Sequence, residues 1–346
     1  MAFPDWPLSH GSLNPQGWWT RAFELLEHGH RMMAETVGLF VGILCAWVWR
    51  SRWGIPAAAG VSIILAGGAY FAGCSQSTVA HVGLWSSAVV FVGMILWRAY
   101  SGSHSHRAII RWLALAAFAG VIGQAILGGL RVTIESGGDP RMATNFKILH
   151  GCFAQFELCV LVAIATLLSP SSIGMPRIEG IAKVSQMTWI TATFVYIQLM
   201  VGATVRHLGA GLAIPSFPAA TPDGAFLPVA RNLFVDLNFT HTRIGACLIA
   251  VLVVCLFLRA VGNAQGEARI LRPAFLLLGL VAMQITLGVL VIWNLRPPML
   301  TTLHVLNGAF VLATAVWLGV RTSGQVVGRE SVESGTGNKL IGEVTS

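Results

Sequence analysis

The sequence predicts an all-α, polytopic membrane protein assembled from two related bundles of transmembrane helices. Three observations lead there. Of the 346 residues, 55% are hydrophobic and 10% charged, whereas a soluble domain carries about 25% charged residues. The apolar residues gather in uncharged runs of bilayer-spanning length. Short motifs recur in the same order in both halves of the chain. This composition excludes a soluble enzyme, a disordered chain and a secreted disulfide scaffold. A net charge of +8 would suit a nucleic-acid partner. The basic residues are instead scattered between apolar segments, as in loops that flank membrane helices, and no nucleic acid is expected. The six cysteines lie mostly inside apolar runs and form no CxxC pair, so no disulfide framework is expected.

A membrane helix needs about 20 mostly apolar residues. In chain order the sequence offers nine such runs, at 31–49, 56–73, 79–98, 110–131, 147–168, 186–206, 241–259, 272–293 and 301–320. The second is short. Tryptophans such as Trp47, Trp97 and Trp293 sit near the ends, as interfacial belts do. Residues 322–346 are polar and Gly/Ser-rich and read as a flexible tail. With the N-terminus outside, the inner loops hold 13 of the 22 lysines and arginines, which favours an N-out, C-in arrangement. Residues 1–168 form one bundle, with an extra helix pair at 56–98, and residues 185–321 the other.

Two echoes support the repeat. Gln124-Ala-Ile-Leu-Gly128, Gln198-Leu-Met-Val-Gly202 and Gln284-Ile-Thr-Leu-Gly288 each lie one helix ahead of a helix that carries a histidine. Small residues of this kind let helices approach closely. Ala2-Phe-Pro-Asp-Trp-Pro7 matches Ala213-Ile-Pro-Ser-Phe-Pro218, and each is followed at the same interval by a histidine, His30 and His241. The second copy has a Gln/Gly helix before it. The repeat therefore predicts a further apolar helix ahead of Met1, absent from this chain. Helices 56–73 and 79–98 have no counterpart in the second half.

His30, His150, His241 and His304 each sit at or just inside the outer end of a helix. An imidazole at membrane depth is costly and usually functional; the plain alternative is a hydrogen bond to a neighbouring helix. Zinc favours closely spaced Cys/His ligands and copper adds Met or Cys. Facing helices with one histidine each suit a haem, whose iron takes axial imidazoles from opposite faces. His30 with His150, and His241 with His304, then make two sites. Arg31, Arg131, Arg206 and Arg243 lie at the same level. They either neutralise haem carboxylates or snorkel to the interface. His28 competes with His30, which the repeat spacing and the following Arg31 favour. Glu157 follows His150 by two helical turns; a proton path and a hydrogen-bonded neutral carboxyl stand as its two readings.

These residues resemble the haem A synthase family of cytochrome oxidase assembly proteins. The resemblance is carried by Glu27-His-Gly-His30-Arg31, Gln124 to Val132, the His150 helix, Gly202-Ala-Thr-Val205, Gly209 to Pro218, His241-Thr-Arg243, Gln284 to Gly288 and the His304 helix. It implies an eight-helix core of two four-helix bundles. It also implies that His241 and His304 hold a haem b cofactor, with Arg206 and Arg243 beside it. His30 and His150, with Arg31 and Arg131, would embrace the substrate haem O. The ring methyl of haem O becomes a formyl group through successive hydroxylations, with oxygen from water, and Glu27 is the catalytic carboxylate. At i−3 from His30, Glu27 shares its helix face; its bland reading is a favourable charge near the helix N-terminus. The expected setting is the inner (plasma) membrane, haem sites toward the outer face, in lipid. The expected partner is haem O synthase, with a homo-oligomer left open. The missing first helix and the inserted pair depart from the family pattern. Cys74 stands alone where some members carry a cysteine pair. A di-haem electron-transfer cytochrome and a non-catalytic haem-binding assembly protein are the alternative functions. Glu27, which has no counterpart before His241, favours the enzyme.

Overall fold

The computed structural model describes residues 9, 12, 14–50, 106–169 and 178–344. The helices expected at 56–73 and 79–98, Cys74 and the Ala2–Pro7 motif lie outside the described residues. Among those described, seven helices are long and apolar enough to cross a membrane, and they match the other seven expected runs. The helices are α1 (Ala22–Trp49), α2 (His106–Ser136), α3 (Pro140–Leu168), α4 (Ile181–His207), α5 (Leu233–Phe239), α6 (Ala246–Asn263), α7 (Ala268–Trp293) and α8 (Pro298–Val344). A single wide turn of helix, Thr240–Gly245, joins α5 to α6 as one span.

Several helices begin earlier than the apolar runs that announce them. Helix α1 starts at Ala22 and α3 at Pro140, several residues before the runs. Their first turns carry charged and polar residues that the apolar window excludes but that suit the membrane–water boundary. Local chemistry sets the starts. Asp139 accepts a hydrogen bond from the Met142 amide and Pro140 opens α3, an N-cap followed by a proline whose missing N–H costs nothing there. Asn232 and Glu267 cap α5 and α7 in the same way. Gly209, at φ 79°, ends α4 in the left-handed conformation that glycine adopts without strain. The backbone of α8 continues as helix to Val344, through the stretch the sequence marks as a polar tail.

The chain divides into two compact units, Gly17–Gly123 and residues 124–346 with 1–16. In the first, α1 meets the N-terminal part of α2 through small residues. Gly38 faces Val121 and Gly42 faces the Phe118 ring. The Trp49 indole donates to the Arg111 carbonyl at 3.0 Å and packs edge-on to Trp112.

In the second unit α4, α6, α7 and α8 form a bundle, with α3 against α4 and α8. Leu256, Ile270, Leu277, Leu312 and Leu318 fill its centre. The outer surface is also apolar, with Phe194, Val251, Leu258 and Phe275 exposed. That inverts the rule for water-soluble bundles and is what lipid requires. Thr188 and Thr191, fully buried, return their hydroxyls to the carbonyls of Val184 and Met187, so neither hydroxyl is stranded in the core.

Candidate functional site

The three Gln-x3-Gly motifs have one structural meaning. Residues four apart share a helix face, and in each motif the glutamine and glycine grip the histidine of the next long helix. On α2, Gln124 Nε2 donates to the His150 carbonyl at 3.1 Å, and a Cβ on Gly128 would lie 3.4 Å from His150 Cε1. On α4, Gln198 Nε2 donates to the His241 carbonyl at 2.7 Å, and a Cβ on Gly202 would lie 2.7 Å from His241 Cε1. On α7, Gln284 Nε2 lies 3.2 Å from His304 Nε2, and a Cβ on Gly288 would lie 3.2 Å from His304 Cε1.

Two of the grips are reciprocal. Gly245, one turn after His241, faces the Gln198 amide so closely that any side chain would collide with it. Gly308, one turn after His304, faces Leu199 and the Gln284 amide. Each imidazole is thus seated where the neighbouring backbone has no side chain.

His241 and His304 face each other at one end of the bundle. Their ring centroids are 6.3 Å apart and the rings nearly perpendicular, at 81°. An imidazole–metal bond is about 2.0 Å, so two imidazoles on opposite sides of one metal need a centroid separation of this size. The Nδ1 atoms of His150, His241 and His304 are buried with no hydrogen-bond partner, which is costly for a ring nitrogen that nothing else engages. The two rings line a cavity of about 300 Å³ with Gly202, Gly288, Phe217 and Val281, within the size range of small-ligand sites. Among the described residues no three His, Cys, Asp or Glu side chains gather around a metal-sized point. An iron between these two histidines therefore needs equatorial donors from elsewhere, and a porphyrin brings four nitrogens. The residues fit a haem.

Polar side chains brace this pair. Asn307 donates to the Leu280 carbonyl at 2.9 Å and to Gln284 Oε1 at 2.7 Å, which fixes the amide that meets His304. His241 lies in the wide turn Thr240–Gly245, a departure from α-helix common at functional sites. Asn238, just before that turn and fully buried, donates to the carbonyls of Ala210 and Gly211.

Arg243, expected beside a haem carboxylate, is placed elsewhere. It is buried, donates to the carbonyls of Ser216 and Ala219 at 2.6 and 2.9 Å and lies over the Phe217 ring. It clamps the loop that follows α4. Arg206, the other expected arginine, lines the cavity, as does Arg296, which the motifs did not mark. Asn307 and Asn238 were likewise unmarked, although each lies one turn from a histidine.

His150 sits in the second unit with Gln124. There Arg131 and Lys147 both face Glu135, at 4.0 and 2.9 Å. Glu157 is buried, and its Oε1 has no hydrogen-bond partner. In the first unit Arg31 donates to Glu27 Oε1 at 3.0 Å, an i,i+4 pair. His28 is buried, with its ring centroid 4.7 Å from that of Trp18, while His30 is exposed. Two residues apart on a helix, they necessarily point to different sides.

The profile of a family described as cytochrome oxidase assembly protein matches residues 82–316. The haem A synthase of Symbiobacterium thermophilum is 28% identical over 83% of this chain and 74% of its own length. Those of Mus musculus and Homo sapiens are 24% and 23% identical, each over 85% of this chain. The chain spans 62% of each of these two mammalian relatives.

Proposed function

The chain belongs to the cytochrome oxidase assembly protein family, and on that premise we propose that this multi-pass membrane protein is a haem A synthase, an oxidoreductase that turns haem O into haem A. The observation that carries the reading furthest is the facing pair His241 and His304, with unengaged Nδ1 atoms and glycine-lined seats in one cavity. This pair would hold haem b, with Gln198 holding the His241 main-chain carbonyl and Gln284 meeting the His304 ring from the adjacent helices. When bound there, haem b supplies a one-electron carrier near the outer surface of the bundle. The substrate haem O would use His30 and His150. His150 has the same kind of seat, formed by Gln124 and Gly128.

Converting a ring methyl to a formyl group consumes one water oxygen and releases four protons and four electrons overall, the electrons going to an acceptor outside this chain. A base at the methyl edge is therefore required. Glu27 is the carboxylate proposed for this task, held in position by Arg31. The inner membrane, with the haem sites toward its outer face, is the proposed setting, and haem O synthase the proposed supplier.

The test uses the purified full chain. The expected spectrum is that of a low-spin bis-histidine b-type haem, lost in His241→Ala, with haem O converted to haem A. Glu27→Gln is expected to keep the spectrum and lose conversion by at least about a hundredfold, the usual worth of a positioned acid or base. Haem binding without any conversion by the unaltered chain would favour an electron-transfer cytochrome instead. Full conversion by the Glu27 variant would remove the carboxylate from the mechanism.

A further inference from the structure

We infer that Arg206 and Arg296 form a two-guanidinium subsite for the carboxylates of a dicarboxylate tetrapyrrole at the mouth of the His241–His304 cavity, and that Arg243 takes no part in it. This rests on reading that cavity as a haem site. Three observations on different elements converge here. First, both arginines line the same cavity as the two histidines, Arg206 from the last turn of α4 and Arg296 from the turn between α7 and α8. Second, neither guanidinium makes a hydrogen bond or ion pair with any described residue. The Arg243 guanidinium, by contrast, is held by loop carbonyls and by Thr242.

Third, the backbone goes to unusual lengths to place Arg296. Leu295 and Arg296 both have positive φ, at 56° and 63°, a conformation few non-glycine residues adopt. Arg296 also precedes Pro297, where extended backbone is the norm. The turn is locked by the Arg296 amide donating to the Val291 carbonyl at 2.8 Å. Across from it, Gly211 leaves the space that the arginine stem fills; a Cβ there would lie 3.0 Å from Arg296 Cδ and Nε. Gly211 is itself held by Asn238, on the element that carries His241. Strain retained at one residue, with a glycine opposite to receive its side chain, is the signature of a positioned functional group.

The chemistry suits the geometry. A haem gripped on both faces by imidazoles directs its two carboxylates out of one edge. A guanidinium binds a carboxylate through two parallel hydrogen bonds, so two carboxylates match two uncommitted arginines. Arg131 and Lys147 face Glu135 and are not needed to complete the match.

The full-length chain, produced in a haem-deficient host, is titrated with haem b and with haem b dimethyl ester, which lacks the anionic carboxylates. Arg206→Gln and Arg296→Gln are each expected to weaken haem b binding about tenfold, the loss of a charge-assisted hydrogen bond. Ester binding should stay within about twofold of the unaltered chain. Equal weakening for both ligands would assign the arginines to cavity shape, and unchanged haem b binding would leave the carboxylates without these partners; either result overturns the subsite. If the unaltered chain binds neither ligand, the haem reading itself fails, and that outcome is separate from both.

Discussion

Around His241 and His304, the side chains that matter are the ones that are missing. Gly202 and Gly288 have no Cβ because an imidazole occupies that space, and Gly245 has none because the Gln198 amide does. Gly202→Val should lower haem content of the purified protein at least about tenfold, since overpacking a tight contact costs about 1–3 kcal/mol. A pyridine haemochrome assay reads this directly, and normal content in that variant would mean the glycine seat is unimportant. The position three before each repeated histidine also diverges informatively. It is Glu27 before His30 and Asn238 before His241. The asparagine is buried and committed to the Ala210 and Gly211 carbonyls, whereas the glutamate pairs with an arginine on its own helix. One position in the repeat thus holds a loop in one half and carries an arginine-paired carboxylate in the other.

Helix α5, the wide turn and α6 form a single membrane-spanning helix whose N-terminal portion is pinned to the loop after α4. Asn238 and Arg243 hold that loop from one side, and the Trp293 indole reaches the Phe217 carbonyl from α7. His241 lies between the two pins, so its position depends on the loop remaining attached. Arg243→Lys keeps the charge but loses the forked contact with Ser216 and Ala219. It should destabilise the solubilised protein by about 1–3 kcal/mol, the cost of buried acceptors left unpaired. Thermal melting in detergent is the measurement, and an unchanged midpoint would show that the clamp is dispensable. The sequence marked Arg243 as a ligand-facing cation because it lies at the level of the histidines. The wide turn shifts the helical register there, and linear spacing carries no sign of that shift.

The whole molecule puts its histidine seats at one end of the bundle, since the Gln/Gly motifs end α4 and α7 while His241 and His304 lie near the starts of the helices that follow. An antiparallel arrangement requires this, because each motif pair flanks one connection between helices. That connection should face the periplasm. In a cysteine-free background, a cysteine at exposed Asp223 should react with an impermeant maleimide in intact cells. One at exposed Gly266, in the connection between α6 and α7, should react only after permeabilisation. The opposite pattern would invert the topology.

Span number and type among the described residues and the juxtaposition of His241 with His304 followed from hydropathy and spacing. Both are one-dimensional consequences of a bilayer of fixed thickness and a helix of fixed pitch. The tertiary structure alone decided which polar groups face the cavity and which are spent on holding loops. Arg206, Arg243 and Arg296 carry the same charge. They are told apart by a shifted helical register, a left-handed turn and the carbonyls that happen to lie opposite, all of which arise from contacts between residues far apart in the chain.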